Sequence, residues 1–80
     1  MPDHLMITAP VRRQMAALPD GLRKLVFDVV LLLLEQPHPP GSQSYEGVAD
    51  MYWLELDEVT IYYNAYGTGT ITIQQVVVND

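Results

Sequence analysis

The chain of 80 residues contains no cysteine, which excludes both a disulfide framework and a thiolate metal site. Its first eight residues lack the basic and long apolar regions of a signal peptide, so we expect a cytoplasmic protein. The longest apolar stretch, residues 25–34, is half the length of ~20 residues that a membrane span requires. We therefore expect one small domain over residues 1–80, held together by packing and with no role in the membrane.

Positive charge is missing from most of the chain. The net charge is −6, and no lysine or arginine follows Lys24, whereas eight carboxylates do. Such a composition repels phosphate, so nucleic acid is not expected as the main ligand of residues 25–80. The four cations form one basic cluster, for which a solvated surface and a contact with an acidic partner both remain open: Arg12, Arg13, Arg23 and Lys24.

The apolar stretch predicts a long helix from about Asp20 to Glu35 or Gln36. Asp20 is placed to act as its N-cap, and Pro37 prevents its continuation. One face carries apolar residues at helical spacing: Leu22, Val26, Val29, Val30 and Leu33. Leucines fill much of the remaining surface, so we expect the helix to be covered on more than one side. A sheet would cover one flank, and another helix, a partner or a second copy in a homodimer would cover the other.

The rest of the chain predicts further short elements. Residues 4–8 suit a first strand, and a short helix follows from Pro10 with Val11, Met15 and Leu18 at helical spacing. Residues 36–47 have the composition of a loop, with three prolines and two glycines.

From residue 49 the apolar period changes to two, which predicts three strands ending near residues 57, 66 and 78, with a turn at residues 67–69. Gln74 and Gln75 break the last alternation, and a β-bulge there would return Val76 to the face of Ile73. The order β-α-α-β-β-β predicts an α+β two-layer domain, a helical hairpin packed on a mainly antiparallel four-stranded sheet.

Several landmarks occur in a characteristic order. They are a leucine-proline step, a proline after the second helix, an aromatic-x-glycine and an apolar-apolar-tyrosine: Leu18-Pro19, Pro37, Tyr45-Glu46-Gly47 and Ile61-Tyr62-Tyr63. Their order and spacing resemble the RelE/ParE superfamily of small bacterial toxins from type II toxin-antitoxin systems. The resemblance spans nearly the whole chain, and it implies a cytoplasmic toxin that is held by a cognate antitoxin.

The chain departs from this family at three positions. The family usually has arginines where Trp53 and Thr60 stand, and a basic or catalytic residue where Asn79 stands. In members that resemble ribosome-dependent mRNA interferases, such cations hold the RNA and stabilise the charge at the scissile phosphate. We therefore expect no catalytic residue, no cofactor and no metal site. An mRNA interferase with atypical catalytic residues remains an alternative.

The strand face turned away from the helices is expected to carry Trp53 and Tyr62. They form either a cross-strand pair that stabilises the sheet or part of a partner-binding surface. The candidate partner-binding residues are Met51, Trp53, Thr60, Tyr62, Asn64 and Gln74. We favour a toxin or toxin-like protein that acts by protein binding, as the resemblance to the ParE branch, directed at DNA gyrase, implies. A non-toxic acidic interaction domain of the same fold is the remaining alternative.

Overall fold

A computed structural model describes residues 4–67 and 69–79, which form two helices packed on one side of a five-stranded sheet. The elements are β1 (His4–Ile7), α1 (Ala9–Ala16), α2 (Asp20–Glu35), β2 (Ser42–Ser44), β3 (Met51–Glu55), β4 (Val59–Ala65) and β5 (Thr70–Val78). The strand order is β1-β5-β4-β3-β2, and only the β1–β5 pair is parallel. The predicted α+β architecture is confirmed.

The sheet has one strand more than predicted, because β2 lies in the segment expected to be a loop. Ser42–Ser44 pairs antiparallel with β3 at the edge of the sheet. Its side chains are all polar, two serines and a glutamine, so neither alternation nor β-branched residues could reveal it from the sequence. Gly41 has a φ of +94°, a conformation that glycine adopts readily, and this lets the chain turn from Pro39 and Pro40 into β2.

The predicted bounds of α2 are confirmed, but its predicted N-cap is wrong. Asp20 is the first helical residue, and Pro19 occupies the N-cap position without a side-chain hydrogen bond. From inside the first turn, the Asp20 carboxylate instead meets the guanidinium of Arg23 at 3.0 Å. The aspartate lies one residue too far along the chain to cap the helix.

Within residues 4–67 and 69–79, only one side of α2 is covered. Its buried side chains are Val26, Val30 and Leu33, which face the sheet together with those of α1: Val11, Met15 and the following Leu18. The outer side leaves four large apolar side chains between 37 and 49% exposed: Leu25, Phe27, Leu31 and Leu32. The second cover that the sequence predicted for this helix is not supplied by α1. No helix of the described residues is long and apolar enough to cross a membrane.

The predicted β-bulge in β5 is confirmed. Tyr62 pairs with Gln75 and the next residue, Tyr63, pairs with Ile73, so Gln74 is the extra residue. The bulge returns Val76 to the buried side of the sheet, as the sequence predicted.

The predicted turn at residues 67–69 includes Thr68, which lies outside the described residues. The adjoining Gly69 has a φ of +92°.

Candidate functional site

The side of the sheet that faces away from the helices, here called the open sheet face, has a central row of side chains. Trp53 lies directly opposite Tyr62, which in turn lies opposite Gln75. Gln43 of β2 flanks Trp53 on its other side. The row therefore crosses four strands, and the register brings Trp53 and Tyr62 together as the sequence predicted.

An aromatic cluster forms at the centre of this face. The ring of Tyr45 lies 6.1 Å from that of Tyr62 at an angle of 67°, an edge-to-face contact. Trp53 and Tyr62 are half-buried, whereas Tyr45 is exposed. Tyr45 and Gln43 were not predicted as site residues, because they reach this face through the unpredicted strand β2. We call Tyr45, Trp53 and Tyr62 the aromatic cluster.

Three further candidate residues hold the loop between β2 and β3 against the sheet. The amide of Gln74 donates to Oδ1 of Asn64, and Nδ2 of Asn64 donates to the carbonyl oxygen of Asp50 at 3.3 Å. The same Nδ2 contacts the sulfur of Met51 at 3.7 Å. Asp50 adopts a φ of +59°, a left-handed conformation that aspartate tolerates better than most residues. Because Asn64 is buried, its hydrogen bonds stabilise the loop between β2 and β3.

Thr60 and Asn79 hydrogen-bond to each other. Oγ1 of Thr60 donates to Oδ1 of Asn79 at 2.8 Å, and Nδ2 of Asn79 donates to the carbonyl oxygen of Leu56, also at 2.8 Å. The backbone N–H of Asn79 bonds to the carbonyl of Glu58. These bonds fasten the end of β5 to the turn between β3 and β4. Thr60 and Asn79 are thus joined in a neutral network in which both side chains are hydrogen-bonded.

A second group of rings lies on the inner side of the sheet. The Tyr63 hydroxyl donates to the carbonyl oxygen of Pro37 at 2.8 Å, and its ring stacks on that of Tyr52 at 5.9 Å. His38 packs edge-on against Tyr52 at 4.5 Å. Burial raises the pKa of the Tyr63 phenol, so the hydroxyl remains a hydrogen-bond donor. These contacts hold the loop after α2 in place.

The basic cluster divides into two parts. The Arg23 guanidinium contacts Asp20 at 3.0 Å and donates to the carbonyl oxygen of Leu18 at 3.1 Å. Together with Lys24 and Phe27, these two charged residues line an open depression of about 390 Å³ on the outer side of α2. The other two arginines, Arg12 and Arg13, lie exposed on α1.

Across residues 4–67 and 69–79, no group of three side chains is arranged to hold a metal ion.

No protein-family model matches the chain, and no curated protein matches it. Its fold is found among solved structures. A chain of the archaeal RelE–RelB complex from Pyrococcus horikoshii superposes with a TM-score of 0.84 at 19% identity, covering 98% of this chain and 96% of that chain. A chain of the toxin–antitoxin complex RelBE2 from Mycobacterium tuberculosis gives a TM-score of 0.83 at 17% identity, covering 99 and 100%.

The isolated RelE toxin from E. coli is similar as well. It superposes with a TM-score of 0.82 at 15% identity, over 96% of this chain and 84% of that chain. At such identities the likeness concerns the fold, and it extends over nearly all of the chain. The RelE/ParE-like fold inferred from the order of the sequence landmarks is confirmed, and the protein has the fold of RelE toxins.

Proposed function

We propose that this protein is a toxin or toxin-like component of a type II toxin-antitoxin pair, and that it acts by binding a protein and not by cleaving RNA. The aromatic cluster on the open sheet face carries this proposal. Tryptophan and tyrosine are enriched at the centres of protein interfaces, where they contribute much of the binding energy. The fold shared with RelE toxins supports the assignment to a toxin-antitoxin pair.

The neutral network on the same face argues against RNA cleavage. Cleavage requires groups that stabilise charge at the phosphate and groups that transfer protons. Trp53 is not ionisable, and the hydroxyl of Thr60 is already bonded to Asn79. With no lysine or arginine after Lys24, strands β2 to β5 have no cation of their own to offer a phosphate.

We propose a cognate antitoxin as the first partner, since the superposed structures from Pyrococcus horikoshii and Mycobacterium tuberculosis are toxin–antitoxin complexes. The charge of this chain indicates the chemistry of the partner's contact segment. Glu55 follows Trp53 by two residues on β3, so it shares the open sheet face, and Glu46 follows Tyr45. Arginine or lysine on the partner would meet both carboxylates and aromatic rings there.

An mRNA interferase with atypical catalytic residues is the second candidate, because aromatic side chains on a sheet are also platforms on which nucleic-acid bases stack. Induced expression in a bacterial host separates the candidates when growth and total mRNA are followed in the same cultures. We expect growth arrest with intact mRNA in primer extension. Arrest with codon-positioned cuts would establish the interferase instead, and normal growth would reject toxicity in favour of a non-toxic interaction domain.

Trp53→Ala tests whether the aromatic cluster is the contact surface. We expect the variant to lose growth arrest while it stays folded at the growth temperature, with a loss of stability of about 1 to 2 kcal/mol. Leu25→Ala is the matched control, since it also truncates a partly exposed apolar side chain but lies on α2. Retained arrest with Trp53→Ala would reject the interface. A large loss of stability would assign the pair to holding the sheet together.

A further inference from the structure

The loop between β2 and β3 is fastened to β4 at the carbonyl oxygen of Asp50. This oxygen accepts hydrogen bonds from Nδ2 of Asn64 at 3.3 Å and from the backbone N–H of Ala65 at 3.0 Å. Asp50 has a φ of +59°, a backbone conformation that costs free energy in residues other than glycine. The two hydrogen bonds from β4 therefore hold Asp50 in a conformation that it would rarely adopt alone.

Tyr45 of the aromatic cluster is bonded to the far end of the same loop. Its backbone N–H donates to the carbonyl oxygen of Met51 at 2.7 Å. Because Met51 directly follows Asp50, a rotation of the backbone at Asp50 moves the oxygen to which Tyr45 is bonded. The contact of the Tyr45 ring with Tyr62 therefore depends on the hydrogen bond that Asn64 makes to the loop.

The side-chain amide of Asn64 can bond to the loop in only one orientation. Its Nδ2 must point towards Asp50, because a backbone carbonyl oxygen accepts hydrogen bonds and cannot donate them. Its Oδ1 then faces β5, where Nε2 of Gln74 donates to it. A donor at position 74 therefore selects the orientation that supports the loop. An acceptor there would favour the reversed amide, with Oδ1 of Asn64 against the oxygen of Asp50.

The β-bulge in β5 gives Gln74 its place beside Asn64. Gln74 is the extra residue of the bulge, between the residues that pair with Tyr62 and Tyr63. A bulge changes the direction in which a strand presents its side chains, and here it brings the amide of Gln74 onto that of Asn64. Gln74 is exposed, whereas Asn64 is buried. Gln74 can therefore be replaced without opening a cavity in the core.

We propose that Gln74 is a positioning residue for the aromatic cluster. By donating to Asn64, it holds the loop in the conformation that sets Tyr45 against Tyr62. A partner then meets side chains that are already in place, and less conformational freedom is lost on binding. The consequence for partner binding rests on the proposed function, whereas the effect of Gln74 on the loop does not.

Hydrogen exchange of single backbone amides, followed by NMR, tests the effect on the loop. In Gln74→Glu, the amides of Tyr45 and Ala65 should exchange about tenfold faster, because the hydrogen bond from Asn64 is lost. In Gln74→Lys, which keeps a donor at this position, they should exchange within about threefold of the unmodified protein. Unchanged exchange in Gln74→Glu would overturn the proposal. So would an equal acceleration in Gln74→Lys.

Two controls separate positioning from a general effect of the substitution. Gln36→Glu makes the same chemical change in an exposed glutamine that follows α2, and it should leave the amides of the loop unaffected. The amide of Ile61, in the middle of β4, should exchange at the same rate in Gln74→Glu as in the unmodified protein, because Gln74 is exposed and the core is untouched. Acceleration at Ile61 as large as at Tyr45 would mean that Gln74 only stabilises the whole domain.

Growth arrest in a bacterial host tests the consequence for the partner. About tenfold more Gln74→Glu protein should be required for the same arrest, since the loop must be ordered at the moment of binding. In a Tyr45→Ala background the same substitution should have no further effect, because no ring remains to be positioned. Additive effects of the two substitutions would overturn positioning through Tyr45. If the unmodified protein does not arrest growth, the proposed function fails, and hydrogen exchange still decides whether Gln74 positions the loop.

Discussion

The two faces of the sheet differ although the same strands supply both. On the inner face, β4 and β5 contribute fully buried apolar side chains, among them Val59, Ile61 and Ile73. On the open face, most of the alternate residues of β4 and β5 are aromatic or carry amides and hydroxyls, and hydrogen bonds from Thr60, Asn64 and Gln74 hold the loop before β3 and the end of β5. Stability is thus concentrated on one face, while the other is left with an aromatic surface that a partner can cover.

The largest expected effect comes from a charge placed in the inner core. Val30→Asp should unfold the domain, because an unpaired buried carboxylate costs several kcal/mol and a chain of this size has only about 4 to 12 kcal/mol of stability. Circular dichroism and the dispersion of amide signals in NMR would report the loss. Leu31→Asp is the control at the next position of α2, where the side chain is partly exposed, and it should cost about 1 kcal/mol. A cooperatively folded Val30→Asp variant would contradict the assignment of the core.

Neighbouring residues of β4 provide a smaller and more direct comparison of the two faces. Ile61→Ala should destabilise the protein by about 3 kcal/mol, because Ile61 is fully buried and its truncation leaves a cavity. Tyr62→Ala, one residue later on the open face, should cost about 1 to 2 kcal/mol through loss of the aromatic contacts. Urea unfolding of both variants measures the difference. Equal losses would show that the open face supports the fold as strongly as the inner face does.

The fold could be predicted from the sequence because its main elements follow the alternation of apolar residues. Period two in β3 to β5 and the break at Gln74 identified three strands, their faces and the bulge. Strand β2 lacked that signal, since a three-residue edge strand is held by backbone hydrogen bonds, which side chains do not encode. The prediction that Asp20 is the N-cap of α2 was wrong, because residue type alone does not distinguish an N-cap from the first helical position.

The candidate site was predictable only in part. Alternation placed Trp53 and Tyr62 on one face, and the register joins them directly. The alternation did not show that the side chains of Asn64 and Thr60 are buried and hydrogen-bonded. Those hydrogen bonds depend on Asp50 and Asn79, which are distant from them in the sequence. Tyr45 was missed together with β2. Contacts made between distant segments are therefore the part of this site that the sequence pattern leaves unspecified.

The hydroxyl of Tyr63 gives the inner face a polar contact whose strength depends on pH. Tyr63→Phe should cost about 1.5 kcal/mol near neutral pH, since it leaves the carbonyl of Pro37 without its donor. The folded pKa of Tyr63 is raised above the ordinary tyrosine value of 10.0, chiefly by burial. Its contribution is therefore complete below pH 10.0 and is lost as the pH rises through the folded pKa.

Urea unfolding of both proteins at a series of alkaline pH values tests this dependence. The difference between the unmodified protein and Tyr63→Phe should shrink towards zero above pH 10.0. Tyr66→Phe, in an exposed tyrosine after β4, is the control and should follow the unmodified protein throughout. A difference between Tyr63→Phe and the unmodified protein that stays constant with pH would mean that the pKa of Tyr63 is the same in the folded and the unfolded protein.

The smallest expected effect concerns the network on the open face. Asn79→Ala removes the side-chain bonds to Thr60 and Leu56, which should lower stability by about 1 kcal/mol and the melting temperature by about 5 °C. Gln75→Ala, an exposed residue of β5, is the control for truncation of an amide. If Asn79 serves only to hold the end of β5, any growth arrest should persist in the variant at a temperature where it remains folded. Loss of arrest at unchanged stability would instead place Asn79 in the functional surface, and the open face would then act through its polar network as well as its aromatic cluster.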